Sequence, residues 1–423
     1  MRNRKGGVAG RVIGGILMVV AVVVVVMVIR YFASINNFLS KVTDGSKEVK
    51  GYSVMVLDDS GINDVKGLES KSAGLLKTDE KAGNAEQHLQ NIVKIEPFFY
   101  DDLDTLMGVL NNKIVSAVVL ETDRLNVLDE EAKDLTKDTK VIYTFDIELE
   151  AENREATNKQ VTKEPFILYI SGTDSRAGVH ATARSDVNIV AVVNPVKGKI
   201  LLVSIPRDMY VQLHGTTGIK DKLTHAGVYG IDMSRTTIED FLGAKIDYTL
   251  KVSFDTVVKV VDQIGGITID SDTAMTLGVE GQSKKCTYKV GKQEVDGDCA
   301  LRFARERKSY TTGDRHRGEN QMQVISAIID KMGTSKSYIL NIPTILDIAA
   351  DSFETSLTRD DIMAFIQMQL GSGMKWQVES ISVDGTGSMQ GTYSMGANRP
   401  LYVMIPNQDS VNNAKAKIAE YLA

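Results

Sequence analysis

The pattern of apolar and polar positions divides the 423-residue chain into stretches of different character. Val12 to Ile29 is an uninterrupted run of apolar or small residues, dominated by valine. At about 1.5 Å of rise per residue, a helix of that length roughly matches the ~30 Å hydrocarbon core of a bilayer. The run predicts a transmembrane helix over residues 12–30. Further on, Tyr52 to Leu57 reads as a strand, and Asn84 to Lys94 and Asp101 to Leu110 read as helices. The second of these helices places Leu103, Leu106, Met107 and Leu110 on one face. Ile114 to Leu120 and Val141 to Phe145 read as two more strands. Strands alternating with helices predict a small α/β accessory domain over residues 51–150.

Residues 151–164 are polar and read as a linker. The apolar pattern restarts at Pro165. Phe166 to Ser171, Val187 to Val193 and Ile200 to Ile205 read as strands, the last two joined by a turn holding Asn194, Pro195 and Gly198. Thr237 to Leu242, Phe254 to Ile264, Cys299 to Phe303 and Gln321 to Met332 have helical spacing. Gln377 to Val383 and Leu401 to Ile405 read as strands, and Ser410 to Leu422 as a final helix. Residues 165–423 are therefore expected to form an α/β domain with a C-terminal extension.

Charge orients the chain. Arg2, Arg4, Lys5 and Arg11 precede the apolar run, so residues 1–11 are expected in the cytoplasm and the rest outside. The expected protein is single-pass in the cytoplasmic membrane, with residues 31–50 as a spacer and the folded domains extracellular. A cleaved signal peptide is disfavoured by the length of the run and by the lack of a small-x-small cleavage site. The cytoplasmic tail is too short to form a DNA-recognition module. The net charge of −6 excludes a general nucleic-acid binder. Hydrophobic residues make up 43% and charged residues 25%, a globular balance. Export permits a disulfide between Cys286 and Cys299, with two reduced structural thiols as the alternative. Zinc is disfavoured there, because no histidine lies nearby in sequence.

The candidate chemistry starts at the strand ends. A turn centred on Val196 and Lys197 sets Asp186 opposite Arg207 at the open end of the hairpin, with Arg184 and Asp208 alongside. Asp174 follows the strand that begins at Phe166, so three charged segments converge if the strands are neighbours. Ligand sites favour such strand ends. Arg305 and Arg307 share a side if the chain is extended there. Arg317 and Gln321 share a face if they open a helix, whose N-terminus adds partial positive charge. Guanidinium forks bind phosphate oxygens in pairs, and carboxylate oxygens suit Mg²⁺ or Mn²⁺. Taken singly, Arg302, Arg315 and Glu306 read as surface ion pairs, worth ~0–1 kcal/mol each. No serine or cysteine is placed beside a histidine base in sequence, which disfavours a hydrolase triad.

Seven motifs occur in a fixed order: Gly172-Thr173-Asp174-Ser175-Arg176, Ala183-Arg184-Ser185-Asp186, Ser204-Ile205-Pro206-Arg207-Asp208, Lys222-Leu223-Thr224-His225-Ala226, Val261-Asp262-Gln263-Ile264-Gly265-Gly266, Leu301 to Arg307, and Gly313 to Gln321. Over roughly Pro165 to Lys331 this order resembles the LytR-CpsA-Psr family. The long form, with an extra domain before the catalytic one, is most similar to its CpsA branch from capsule synthesis. The resemblance implies an α/β/α sandwich with a mixed central sheet and a long apolar pocket for a polyprenyl tail. Val257 to Ile264 and Val324 to Ile329 are candidates for its lining. It implies a phosphotransferase that moves a glycopolymer, of capsule or teichoic-acid type, from an undecaprenyl (pyro)phosphate carrier to peptidoglycan. By the same resemblance Asp174 and Asp186 hold Mg²⁺. Arg184, Arg207, Arg305, Arg307 and Arg317 bind the pyrophosphate, with Lys222 and Gln321 nearby, and Asp208 matches a motif position. Asn320 stands where the family often has an arginine. Two other readings remain: a polyprenyl pyrophosphatase using water, and a non-enzymatic membrane regulator or scaffold.

Overall fold

The computed structural model describes residues 49–148, 159–173, 182–278, 284–311, 313–334 and 353–423. The apolar run of residues 12–29 and Asp174 lie outside them. Among the described residues, no helix is long and apolar enough to cross a membrane.

The first unit is a five-stranded sheet. Its strands are β1 (Val49–Leu57), β2 (Lys71–Leu76), β3 (Ile95–Tyr100), β4 (Ala117–Glu121) and β5 (Thr139–Glu148), in the order β3-β2-β4-β1-β5. β1 runs antiparallel to β4 and β5, whereas β2 runs parallel to β3 and β4. Helices α1 (Ala82–Gln90), α2 (Leu103–Asn111) and α3 (Thr122–Glu131) connect the strands. The predicted face of α2, Leu103, Leu106, Met107 and Leu110, is buried, and the Asp102 side chain caps the helix by accepting from the Thr105 amide. Sequence reasoning missed β2, β3 and α3. β2 is short and contains Gly74, where a Cβ would stand 2.7 Å from a Leu106 methyl. α3 is mostly polar, so its apolar stripe is reduced to Leu125, Val127 and Leu128.

The second unit is built on a mixed six-stranded sheet, the α/β arrangement expected for residues 165–423. β6 (Phe166–Thr173), β7 (Val187–Asn194), β8 (Lys199–Ser204) and β9 (Tyr248–Ser253) are flanked by edge strands Phe353–Thr355 and Gln377–Ser382. β6–β7 and β7–β8 are antiparallel, while β6–β9 and the pairing of β8 with Gln377–Ser382 are parallel. Every residue of β7 is buried. The apolar run from residue 189 to 193 follows, because both faces of the sheet are covered.

The helices of this unit are α4 (Ile231–Leu242), α5 (Phe254–Gln263), α6 (Gly297–Arg305), α7 (Asp314–Thr334), α8 (Arg359–Ser372) and α9 (Gln408–Leu422). On one face Ile238 and Leu242 of α4 and Val411 and Ile418 of α9 pack on Tyr169, Val190 and Leu201. On the other, Met322 and Ile325 of α7 and Phe365 of α8 pack with Phe166, Ile189 and Leu202. Two helical layers therefore enclose the sheet.

A satellite core gathers α5, α6 and part of α7. Val261, Ile264 and Val324, all inside the runs proposed for a polyprenyl pocket, are buried in it beside Tyr288 and Phe303. The buried members of those runs are thus packing residues. Cys286 and Cys299 are joined by a disulfide, Cα–Cα 5.5 Å, at the edge of this core. Replacing both cysteines by serine should lower unfolding stability by about 3 kcal/mol, the loop-entropy value for a short closed loop. A thermal melt against wild type checks it.

The two units share packing. Val228, Met395 and Leu401 lie in the core of the first unit with Leu103, Leu120 and Leu128. Arg399 donates to Asp104 at 2.8 Å and to both oxygens of Asp134 at 3.0 Å. The Arg124 guanidinium lies 4.5 Å over the Tyr229 ring. These contacts bring the C-terminal end of α3 onto the strand ends of the second sheet.

Candidate functional site

The β7–β8 ladder pairs Asn194 with Lys199 and continues to Ile189 with Ser204. That register is symmetric about residues 196 and 197. Beyond the last pair, Arg207 Nη1 donates to Asp186 Oδ1 at 2.8 Å. β6 pairs with β7 up to Gly172 and Val187, so β6 ends at the same edge. The next acid, Asp208, bridges two cations. Its Oδ2 lies 3.9 Å from Arg207 Nε, and its Oδ1 lies 3.3 Å from Lys222 Nζ. Lys222 is placed by a two-residue ladder, Asp221–Lys222 against Tyr210–Val211.

Arg207, Asp208, Lys222, Arg307, Tyr402 and Met404 line a cleft of about 430 Å³. Beside it, Asp186, Arg207, Arg317, Gln321 and Ser382 surround a recess of about 10 Å³, the size of one water. Arg317 and Gln321 face it together from the first turns of α7, as their spacing of four predicts. Between them Gly318 allows a close approach, because a Cβ there would stand 2.7 Å from Ser204 Oγ. Ser382 Oγ, buried in the recess, has no hydrogen-bond partner among the described residues. The arrangement presents cationic forks and ammonium groups, held by carboxylates, around a space that admits an anion.

One expectation needs correction. Arg305 is not in an extended segment. Asp296 caps α6, and burial of Ala300, Phe303 and Ala304 carries the helix through Arg305. The Arg305 guanidinium sits 4.7 Å over the Phe254 ring, whereas Arg307, past the helix end, lines the cleft. Asn320, where a family arginine contact is expected to be missing, lines neither the cleft nor the recess. It is buried and donates to the Phe303 carbonyl at 3.1 Å and to Tyr310 Oη at 3.3 Å, tying α7 to α6. Arg184 is not among the residues that line the cleft or the recess. It forks onto both oxygens of Glu130, at 2.7 and 2.6 Å. Arg302 and Arg315 make the expected ion pairs, with Asp298 and Asp384.

A serine does stand beside a histidine, which sequence order concealed. Ser394 Oγ is 2.9 Å from His225 Nδ1, and Asp221 Oδ1 is 2.7 Å from the same nitrogen. A nucleophilic triad needs acid and serine at opposite ring nitrogens. Here Ser394 donates to Asp221 at 2.7 Å instead, and all three groups are buried. The cluster is structural. His225 is charged in it: burial favours the neutral ring, but Asp221 and Glu131 raise its pKa to about 9.

Glu130 and Glu131, at the end of α3, were absent from the candidates because they lie outside the predicted catalytic segment. Glu131 Oε1 accepts from Lys222 Nζ at 2.7 Å. Burial works against the Glu131 carboxylate, yet His225 and Lys222 hold its pKa down to about 2. The hydrogen bonds from Arg184 hold Glu130 below the usual glutamate range.

Backbone packing sets the Arg184 segment. A Cβ on Gly227 would stand 2.4 Å from the Ala183 carbonyl and 2.6 Å from the Ser185 amide. Backbone atoms cannot yield by changing rotamer, so Gly227→Ala should cost about 1–3 kcal/mol and displace Arg184. The expected result is a lower urea midpoint in chemical denaturation.

Comparison with known proteins identifies the family of the fold. The model of the LytR_cpsA_psr family matches residues 123–411, a span that begins within α3. The chain is 30% identical over 264 residues to the polyisoprenyl-teichoic acid–peptidoglycan teichoic acid transferase TagU of Halalkalibacterium halodurans, covering 62% of this chain and 80% of that protein. It is 32% identical over 264 residues to the similarly named TagV of Bacillus subtilis, covering 62% and 65% respectively. The crystal structure of B. subtilis TagV superposes with a TM-score of 0.52 at 30% identity, over 62% of this chain and 98% of that one. A structure of TagT bound to LIIa-WTA gives 0.50 at 25% identity, over 64% and 98%. With the motif order, the mixed sheet and the strand-end cluster all in agreement, this chain belongs to the LytR_cpsA_psr family.

Proposed function

We propose that this chain transfers a glycopolymer, of teichoic-acid or capsule type, from a polyisoprenyl (pyro)phosphate carrier to peptidoglycan at the outer face of the cytoplasmic membrane. The observation that carries this reading is the cleft in which Arg207, Lys222 and Arg307 meet beside Asp186. The transferase names of the relatives support it. In the reaction, a peptidoglycan hydroxyl attacks the phosphorus that bears the polymer. The bond from that phosphorus to the bridging oxygen breaks, polyprenyl phosphate leaves, and the hydroxyl proton is released. Arg207, Lys222 and Arg307 stabilise the charge that gathers on the phosphate oxygens, with no covalent enzyme intermediate. Asp186 and Asp208 aim Arg207, so little reorganisation is needed when charge develops.

The donor set at Asp186 suits Mg²⁺ or Mn²⁺. One oxygen accepts from Arg207. Asp186, with Asp174, would hold the ion. When bound, the ion would neutralise charge on the leaving phosphate. The apolar run of residues 12–29 would keep the cleft beside a carrier lodged in the same bilayer.

The test uses the full chain in lipid nanodiscs with lipid-linked polymer, with and without peptidoglycan. Polymer bound covalently to peptidoglycan is the expected product. Equal release of free polymer in both mixtures would replace transfer by pyrophosphate hydrolysis. No turnover in either would leave a regulator or scaffold.

A further inference from the structure

Helix α3 ends on two adjacent glutamates, Glu130 and Glu131. The carbonyl end of a helix carries partial negative charge, so acids are least favoured there. What offsets them is two cations of the catalytic unit. Glu130 receives the Arg184 fork on both oxygens, at 2.7 and 2.6 Å, and its side chain is 55% exposed while that of Arg184 is 14% exposed. A carboxylate gripped in this way occupies the donor pair that would otherwise take two oxygens of a phosphate.

Glu131 is held differently. Its Oε1 takes the hydrogen bond from Lys222, and its Oε2 lies 3.6 Å from His225 Nε2. Both of those facing atoms are buried without another hydrogen-bond partner. Asp221 fixes the far side of the His225 ring at 2.7 Å. Glu131 therefore cannot swing away, whereas the exposed Glu130 can. The helix itself is anchored at its start by Arg124, which pairs with Glu121 and covers Tyr229.

We propose that the end of α3 is a working part of the anion site: Glu130 is a displaceable stand-in for a phosphate on Arg184, and Glu131 is a positioning residue that aims Lys222 into the cleft. This rests on the cleft binding the pyrophosphate of the carrier. The incoming diphosphate exchanges with the Glu130 carboxylate, which turns out to water. The first α/β unit thereby sets the threshold for substrate entry.

The test is calorimetric titration of inorganic pyrophosphate, with and without Mg²⁺, into the full chain in nanodiscs. Glu130→Gln keeps the shape and removes the competing charge, so it should tighten binding about two- to fivefold, the scale of one exposed forked ion pair. Glu131→Gln should weaken binding about tenfold, and should raise KM for the lipid-linked substrate more than it lowers kcat. Glu131→Asp should recover part of the loss. Arg207→Ala is the control. If Arg207→Ala abolishes binding while Glu130→Gln binds no tighter, the gate is overturned and the anion site stands. If Glu131→Gln leaves both affinity and KM at wild-type values, its positioning role is overturned. If Arg207→Ala itself binds pyrophosphate as wild type does, the anion site fails, and the gate with it.

Discussion

Arg207→Ala should reduce polymer transfer by about 10³-fold in kcat/KM while leaving the chain folded. Arg207 borders both the cleft and the small recess, so it reaches the phosphate from either side. Removing one preorganised donor to a developing oxyanion commonly costs about 10²–10³ in rate. Here the loss is compounded, because the Asp186 and Asp208 carboxylates would remain without their guanidinium partner. The ion pairs lie at the open end of the sheet, outside the β7–β8 ladder, so the core is untouched. Arg207→Lys keeps a charge but loses the planar fork, and an intermediate loss is expected. Steady-state transfer of lipid-linked polymer to peptidoglycan is the measurement. Rates within tenfold of wild type for the alanine variant would place the chemistry elsewhere.

The largest effect on stability should come from Glu121→Ala. The Glu121 side chain is only 1% exposed, at the junction of β4 and α3. It accepts from Lys50 Nζ at 2.5 Å and from Arg124 Nε. Removing one partner of a buried ion cluster strands the others in a medium of low polarity, at a cost of about 3–5 kcal/mol. Chemical denaturation should show that loss at neutral pH. Burial alone would raise the Glu121 pKa, but Arg124 and Lys50 outweigh it and hold it at about 2. A depressed folded-state pKa contributes stability above the ordinary glutamate range, and that stability is lost as pH falls through 2. The gap between wild type and variant should therefore narrow in strong acid. Transfer activity should fall as well, because α3 begins at Thr122 and carries Glu131 to Lys222.

Some of this was legible along the chain. The β7–β8 hairpin is a local structure whose register follows from a turn at residues 196 and 197, so the meeting of Asp186 and Arg207 could be placed without coordinates. The pairing of Arg317 with Gln321 on one helix face is equally local. Arg305 shows where local reasoning fails. A polar, arginine-rich segment gives little sign of its period, and burial of Phe303 against Tyr288 decided that it is helical. Asn320 stands where the family often has an arginine, and packing gives its side chain a different task, tying α7 to the Phe303 carbonyl.

The sequence by itself determined the apolar and polar periods, the order of the motifs and the residue types that suit a phosphate. These are properties of neighbours along the chain, and they name the family. The tertiary structure alone decided that Glu130 and Glu131 meet Arg184 and Lys222. Those pairs are separated by 54 and 91 positions. Their contact depends on how Val228, Met395 and Leu401 seat one unit on the other. No periodicity encodes a contact of that kind. It arises from apolar area buried between distant segments, which brings charges into reach only after both units have folded.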